Sequence, residues 1–95
     1  MAKYLNMSIS DVSLAFKALS DPTRREILKK LKFKDLTPSE LGTHFHISGP
    51  SLSHHLSLLK QANLIDSRKE GQKIIYSLNA TVFYDIINQF LEGFK

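Results

Sequence analysis

The stretch ISGPSLSHHLSLLKQANLI, residues 47–65, decides the fold of this chain. Leu52, Leu56 and Leu59 recur at the spacing that places side chains on one face of an α-helix. The rest of the stretch carries four serines and two adjacent histidines, and it contains no acidic residue. An ordinary amphipathic helix would have glutamates and lysines on its solvent side. A short, mostly uncharged face rich in hydrogen-bonding groups therefore indicates a helix that approaches another polar surface closely.

Two helices are predicted near the start of the chain. Ser10 and Asp11 can cap a first helix that ends near Leu19. Asp21 and Pro22 begin a second, because Asp is a good N-cap and Pro fits the first helical turn. The second helix is expected to bury a stripe formed by Ile27, Leu28 and Leu31.

Two further helices follow, separated by a short turn. The third opens with a capping box at residues 37–40 and is expected to bury Leu41 and Phe45. The fourth is the helix of the quoted stretch, which begins after residues 48–50 and is predicted to run to about Asn63. Two helices joined by such a turn form a helix-turn-helix.

A β-hairpin is predicted after the fourth helix. Residues 64–69 and 73–78 are rich in Ile and Tyr, and Gly71 supplies the backbone freedom that a tight turn needs. Asn79 can cap a last helix over about residues 80–92. The predicted fold is mainly α with a small β-hairpin wing, a winged helix-turn-helix of order α-α-α-α-β-β-α. The chain is expected to form one domain, residues 1–95.

Composition narrows the class of protein. The chain has 95 residues, 42% hydrophobic and 23% charged, with a net charge of +4 and no cysteine. Disulfides and cysteine-based metal sites are therefore excluded within the chain. The sequence shows neither an apolar run of about 18 residues nor a secretory signal, so a cytoplasmic protein without membrane insertion is expected. Residues 24–34 are strongly basic, which favours a polyanionic partner, although most of the lysines there are expected to serve solubility.

Double-stranded DNA is the partner that the fourth helix favours. Major-groove recognition needs short side chains that can donate or accept hydrogen bonds at base edges without negative charge. The alternative is a helix face that is only solvated, and for the basic wing a hairpin kept soluble by its charge. The candidate DNA-binding residues are Ser51, Ser53, His54, Ser57 and Lys60 on the fourth helix, Thr37 and Ser39 at the start of the third, and Arg68, Lys69, Gln72 and Lys73 in the wing.

The last helix has more apolar positions than one small core should need. Burial of such surface favours association, and a twofold dimer would place two recognition helices in successive major grooves. Tyr4 and Leu5 add apolar surface near the N-terminus, and Ile86 is expected at the middle of the stripe. The alternative is that these residues complete the core of the monomer. The candidate interface residues are Leu14, Phe16, Val82, Phe83, Ile86, Ile87, Phe90 and Leu91.

Several motifs together resemble the ArsR/SmtB family of bacterial winged-helix repressors. They are ALSDPTRREILKKL, LTPSELGTHFHISGPSLSHHLSLLKQANLI and RKEGQKIIYSL, and the resemblance spans roughly residues 15 to 80. Within the family the chain is most similar to the cysteine-free SdpR-type autorepressors. The resemblance implies a dimeric DNA-binding repressor that binds an inverted repeat near its own promoter. It also suggests a partner protein that sequesters the repressor.

A metal or cofactor is not expected. Metal-sensing members of the family carry cysteines in the helix before the recognition helix, where this chain has TPSELGTHF. His54 and His55 diverge by about 100° on a helix and cannot chelate one ion together. His55 is expected to be packed and hydrogen-bonded, and His44 and His46 to be structural or solvated. Two rival functions stay open: a metal-responsive repressor that uses His and carboxylate ligands, and a winged helix that binds proteins. An enzyme is the weakest interpretation, because no cysteine nucleophile, Gly-rich phosphate loop or paired-carboxylate motif is present.

Overall fold

The structure, a computed structural model, describes residues 8–95 and shows five helices and one hairpin there. Tyr4 and Leu5, predicted to add apolar surface, lie outside these residues. The element order agrees with the predicted winged helix-turn-helix. The elements are α1 (Ile9–Leu19), α2 (Pro22–Phe33), α3 (Pro38–Gly42), α4 (Gly49–Gln61), β1 (Ile65–Glu70), β2 (Lys73–Leu78) and α5 (Ala80–Glu92).

The helix caps follow the predicted residues except at the first helix. The predicted cap of α1 at Ser10 and Asp11 is wrong, because Ser8 caps the helix. The Ser8 hydroxyl accepts a hydrogen bond from the Asp11 backbone N–H at 3.1 Å, and the Asp11 carboxylate accepts from the Ser8 N–H at 3.3 Å. Asp11, the third residue of α1, thus completes a capping box with Ser8.

The recognition helix α4 ends two residues before the predicted Asn63. Asn63 has a φ of 60°, in the left-handed region that stops a helix. The N–H of Leu64 donates to the carbonyl of Leu59, and that of Asn63 to the carbonyl of Lys60, both at 3.0 Å. These two bonds form the Schellman arrangement, which turns the chain directly into the wing.

One hydrophobic core joins α1, α2, α3, α4, β1 and α5. Leucines of α4 pack into it with Ile27, Leu41 and Leu64, none of which is exposed. Phe45, predicted on the buried side of α3, lies beyond the end of that helix and packs half-buried against the core. Ile86 of α5 is also fully buried within the single chain, so its predicted place in a dimer stripe is wrong. It lies on the inner side of α5, where the chain's own core covers it.

The wing is anchored to the helical body at its base. β1 and β2 pair antiparallel, and Gly71 takes a φ of +64° in the turn between them. Leu36, in the α2–α3 connection, exchanges two backbone hydrogen bonds with Tyr76 of β2, at 3.0 and 2.8 Å. This isolated β-bridge, which local sequence does not reveal, fixes the hairpin against the start of α3.

Within residues 8–95, none of the helices combines the length and the apolar character that crossing a membrane would require.

Candidate nucleic-acid interface

The outer face of α4, called the recognition face, consists of Ser53, His54, Ser57 and Gln61. All four are exposed, and Ser51 at their border is half-buried. Leu52, Leu56 and Leu59 occupy the opposite face and are buried, so the predicted division of the helix is confirmed. The Ser48 hydroxyl caps α4 by accepting from the Ser51 N–H at 3.2 Å.

Behind the recognition face, a buried arginine ties α4 to the first two helices. The Arg24 side chain is only 9% exposed, and its Nε donates to the Ala18 carbonyl at 2.7 Å. A second guanidinium nitrogen donates to the Lys17 carbonyl at 3.1 Å. A third lies 3.2 Å from Nδ1 of His55, which is half-buried on α4. Because a guanidinium can only donate, this contact is a hydrogen bond when Nδ1 carries no proton.

Arg24, His55 and Asp21 form a partly buried cluster that orients the recognition helix. Asp21, the N-cap of α2, lies 3.9 Å from the same His55 nitrogen. The backbone N–H of Arg24, above all, holds the pKa of Asp21 below its ordinary value. The expectation of a packed, hydrogen-bonded His55 is confirmed.

Two of the predicted wing and helix cations are already engaged within the chain. Lys60 donates to the Ser67 hydroxyl at 2.7 Å, which joins the end of α4 to β1. Arg68 pairs with Asp35 at 2.7 Å and with Glu70 at 3.1 Å, and these partners raise its pKa. Arg68 therefore braces the wing against the α2–α3 connection. Because both pairs are exposed, they are weak enough for a phosphate to compete.

The remaining wing candidates are directed to solvent. Lys69, Gln72 and Lys73 surround the Gly71 turn and are exposed. Lys69 and Lys73 make no ion pair with any residue in the range 8–95. These two lysines are the wing cations that a DNA backbone could reach without breaking an internal bond.

The start of α3, where Thr37 and Ser39 are predicted to bind DNA, is partly engaged by a capping box. The Thr37 hydroxyl accepts from the Glu40 N–H at 3.1 Å, while the Glu40 carboxylate accepts from the Thr37 N–H at 2.9 Å. That backbone N–H, above all, lowers the pKa of Glu40. A phosphate at this helix end would meet the Glu40 carboxylate, whereas the exposed Ser39 hydroxyl is unobstructed.

An apolar face, separate from the recognition face, runs along α1 and α5. Leu14, Phe90 and Leu91 are 43%, 47% and 54% exposed, and Phe94 extends the face at the C-terminus. The ring of Phe16 packs edge-on against that of Phe90, with 4.9 Å between centroids. Three further predicted interface residues, Val82, Phe83 and Ile87, are half-buried. Leu14, Phe90, Leu91 and Phe94 are exposed apolar residues, and we call them the dimer face after the pairing predicted from the sequence.

Among residues 8–95, no group of three His, Asp or Glu side chains is arranged to hold a metal ion. His44 and His46 are exposed there, and His55 is engaged by Arg24.

Sequence reasoning missed the partners that hold the interface in place. Asp35 and Ser67 were not singled out, although they bind Arg68 and Lys60. Asp35 and Arg68 are 33 residues apart, so no local pattern connects them. The one available signal was charge: Asp35 is the acid that directly follows the basic run 24–34.

A helix-turn-helix with an exposed polar second helix and a basic wing defines a winged-helix transcriptional regulator. Comparison with known proteins identifies the family. The family model described as "Bacterial regulatory protein, arsR family" matches residues 21–67. The chain belongs to the ArsR family.

Two relatives with high sequence identity are transcriptional repressors, and a similar solved structure is that of a transcriptional regulator. The chain is 57% identical over 76 residues to the transcriptional repressor SdpR of Bacillus subtilis (strain 168), covering 80% of this chain and 84% of that protein. It is 44% identical over 86 residues to an arsenical resistance operon repressor of Staphylococcus xylosus, covering 90% and 82%. An ArsR-like transcriptional regulator from Rhodococcus sp. RHA1 superimposes with a TM-score of 0.80 at 30% identity, covering 87% and 78%. These relatives are regulators, which agrees with the prediction that the chain is not an enzyme.

Proposed function

We propose that this DNA-binding transcriptional repressor acts in the cytoplasm as a homodimer on an inverted-repeat operator, without sensing a metal. The observation that carries the proposal is the recognition face: four exposed polar side chains, none of them a carboxylate, on a helix whose opposite side is buried in the core. A rigid helix with such a face can enter the major groove, because no carboxylate on it repels the phosphates.

Base reading is assigned to the centre of the recognition face. Ser53 and His54 are exposed one turn into α4, and Ser57 lies one turn further along the same side. Serine hydroxyls donate or accept, and a neutral imidazole does both, so these side chains suit the mixed donors and acceptors of base edges. Ser51 at the first turn borders a backbone phosphate.

Backbone contacts are assigned to the wing and to the flanks of the two helices. Lys69 and Lys73 reach phosphates beside the groove, and Gln72 at the hairpin tip reaches the adjacent minor groove. Arg68 and Lys60 also bind phosphates. To do so, Arg68 releases Asp35 and Lys60 releases the Ser67 hydroxyl. Ser39 supplies a further phosphate contact, whereas the Thr37 hydroxyl serves first as the cap of α3.

Dimerisation through the N- and C-terminal helices supplies the second recognition helix. The dimer face exposes Phe90 and Leu91 of α5, Phe94 just beyond it, and Leu14 of α1. The ring of Phe90 contacts those of Phe16 and Phe94, with centroids 4.9 and 5.0 Å apart, so exposed apolar surface is continuous there and suits an interaction site. A twofold pairing through this face would present two α4 helices about 34 Å apart, one turn of DNA.

No metal is assigned to the proposed repressor. His55 and Arg24 make a structural contact, and neither exposed histidine of the α3–α4 connection belongs to a three-ligand cluster within residues 8–95. A partner protein that sequesters the repressor stays a prediction from the resemblance of the sequence.

Selection of bound duplexes from a random pool tests this function directly. The purified chain is used with chelator and, in a parallel arm, with stoichiometric zinc. We expect the same inverted repeat in both arms, with half-site centres about one helical turn apart. The matched control is the Ser53→Ala/His54→Ala double variant, which should enrich no sequence while keeping salt-dependent binding.

Three results would overturn parts of the proposal. Single half-sites would contradict the dimer. A tenfold change in affinity with zinc would favour the metal-responsive repressor. Absence of any enriched DNA would favour a winged helix that binds proteins.

A further inference from the structure

A pocket of about 360 Å³ lies between α2 and α5, and none of the recognition-face residues lines it. Its walls are apolar and include Leu28 of α2, Leu78 at the end of β2, and Phe83 and Ile87 of α5. Pockets of this size and character commonly hold small organic molecules. The exposed residues Leu14, Phe90 and Leu91 of the dimer face do not line the pocket, whereas Phe83 and Ile87, two half-buried residues predicted for the interface, do.

The rim of the pocket is cationic on the α2 side. Arg25, Lys29 and Lys32 line it, and all three are exposed. No carboxylate of residues 8–95 lines the pocket. Part of this charge is engaged, because Lys29 pairs with Glu26 at 3.0 Å and Arg25 donates to the Leu19 carbonyl at 2.7 Å. Lys32 makes no ion pair within the described range, so a bound anion gains it as a partner without competition.

We infer that the pocket binds a monoanionic amphiphile of the medium-chain carboxylate class. The apolar tail lies between Leu28, Phe83 and Ile87, and the carboxylate faces Lys32 at the rim. Burial of the tail supplies the non-directional part of the affinity, and the cations select against neutral and positively charged analogues. A second copy of the chain is a poorer occupant, since the apolar walls are bordered by three cations that a protein surface would have to neutralise.

The position of the pocket gives its occupant a route to the DNA. Leu78 is the last residue of the wing, and Asn79 immediately caps α5, whose first turns supply Phe83. An occupant of the pocket therefore contacts the junction between the wing and α5. In a dimer that pairs through α5, a shift at this junction would change the spacing of the two recognition helices. We therefore expect a ligand bound in the pocket to lower the affinity for operator DNA. This effect on DNA rests on the proposed function, whereas binding of the ligand itself does not.

Calorimetric titration of the full chain with decanoate, below its micelle concentration and without DNA, tests the site. We expect saturable binding with one decanoate per chain. Decanol, which lacks the charge, and butyrate, which lacks the tail, should each bind at least tenfold more weakly. Lys32→Glu should weaken decanoate binding at least fivefold, while Lys34→Glu, the same change at the end of α2 but outside the pocket, should leave it unchanged.

The inference is overturned by absence of saturable binding, by equal affinity for decanol, or by equal effects of the two lysine variants. Affinity that falls as protein concentration rises would show that a second copy covers the pocket, and would overturn it too. A repeat of the titration with operator DNA reports the coupling, since operator and decanoate must weaken each other reciprocally. A chain that binds decanoate but no DNA would contradict the proposed function alone. A chain that binds DNA but no decanoate would contradict only the pocket.

Discussion

α4 and α5 are both 13-residue helices at the surface, yet their outer faces have opposite chemistry. α4 buries three leucines and exposes serines and a histidine, whereas α5 buries only Ile86 completely and leaves Phe90 and Leu91 about half exposed. An apolar face gains most from another apolar surface, and a small polar face gains from a partner with directional hydrogen bonds. The difference favours protein contact for α5 and nucleic-acid contact for α4, which is the proposal that the following predictions test.

Charging the dimer face should have the largest effect. Phe90→Glu combined with Leu91→Glu places two carboxylates where apolar contact is expected, so the chain should sediment as a monomer. Affinity for a two-half-site operator should fall by about a hundredfold or more, since hot-spot substitutions cost at least about 2 kcal/mol each. Analytical ultracentrifugation and fluorescence anisotropy provide the two readouts.

The matched control for the dimer face is Phe33→Glu. Phe33 is 84% exposed at the end of α2 and is not part of the dimer face, so this variant should stay dimeric. Ile86→Glu is unsuitable as a test, because a charge at that fully buried position should unfold the chain. A dimeric Phe90→Glu/Leu91→Glu protein would refute the assignment of α5.

The recognition face should respond to smaller changes. Ser53→Ala and His54→Ala should each weaken specific binding by about 1–3 kcal/mol, because each removes a base-edge hydrogen bond, while non-specific affinity stays unchanged. Footprinting on the selected operator measures the effect. Ser13→Ala, an exposed serine on α1, is the control and should bind as the unmodified chain does. Full operator protection by both recognition-face variants would remove base reading from α4.

The wing should contribute affinity without specificity. Lys69→Ala and Lys73→Ala should weaken binding to all sequences alike, because each removes a cation that neutralises a phosphate. Each should flatten the slope of log affinity against log salt concentration by about 0.9. Arg68→Ala should change the slope less, because Arg68 is paired with Asp35, and Asp35→Asn should steepen it by freeing Arg68. Unchanged slopes in all variants would leave the wing's charge with a role in solubility only.

The smallest expected effect is on the pH dependence of stability, and it involves Asp21, the N-cap of α2 that lies close to His55 of α4. Asp21 has a lowered pKa in the folded state, so it stabilises the fold above its ordinary pKa, and this contribution disappears as pH falls through the lowered value. Asp21→Asn keeps a capping acceptor but should remove that part of the pH dependence below about pH 4, within the roughly 0.5–2 kcal/mol of an N-cap.

Urea unfolding between pH 7 and pH 3 measures this dependence. The neutral cap of α5, Asn79, offers the control: Asn79→Ser should leave the shape of the pH profile unchanged. Identical profiles for Asp21→Asn and the unmodified chain would place the acid dependence elsewhere.

Local sequence determined the elements of this protein and the division of α4. Caps such as Asp21, Thr37 and Asn79 act within one helical turn, and the leucines of α4 repeat at helical spacing. Both features can therefore be predicted from the sequence without knowledge of the fold. The hairpin turn at Gly71 can also be predicted, because it depends only on residues that are neighbours in the sequence. The first cap was misplaced because Ser8, Ser10 and Asp11 are all good capping residues close together.

Only the tertiary structure decided which side of each element is buried and which charged side chains have a partner within the chain. The apolar positions of α5 surround much of the helix, so periodicity alone could not place Ile86 in the core and Phe90 at the surface. Arg24 contacts His55 across 31 residues, and Arg68 contacts Asp35 across 33. Such pairs depend on how helices and wing pack in space, and no pattern of neighbouring residues encodes that packing.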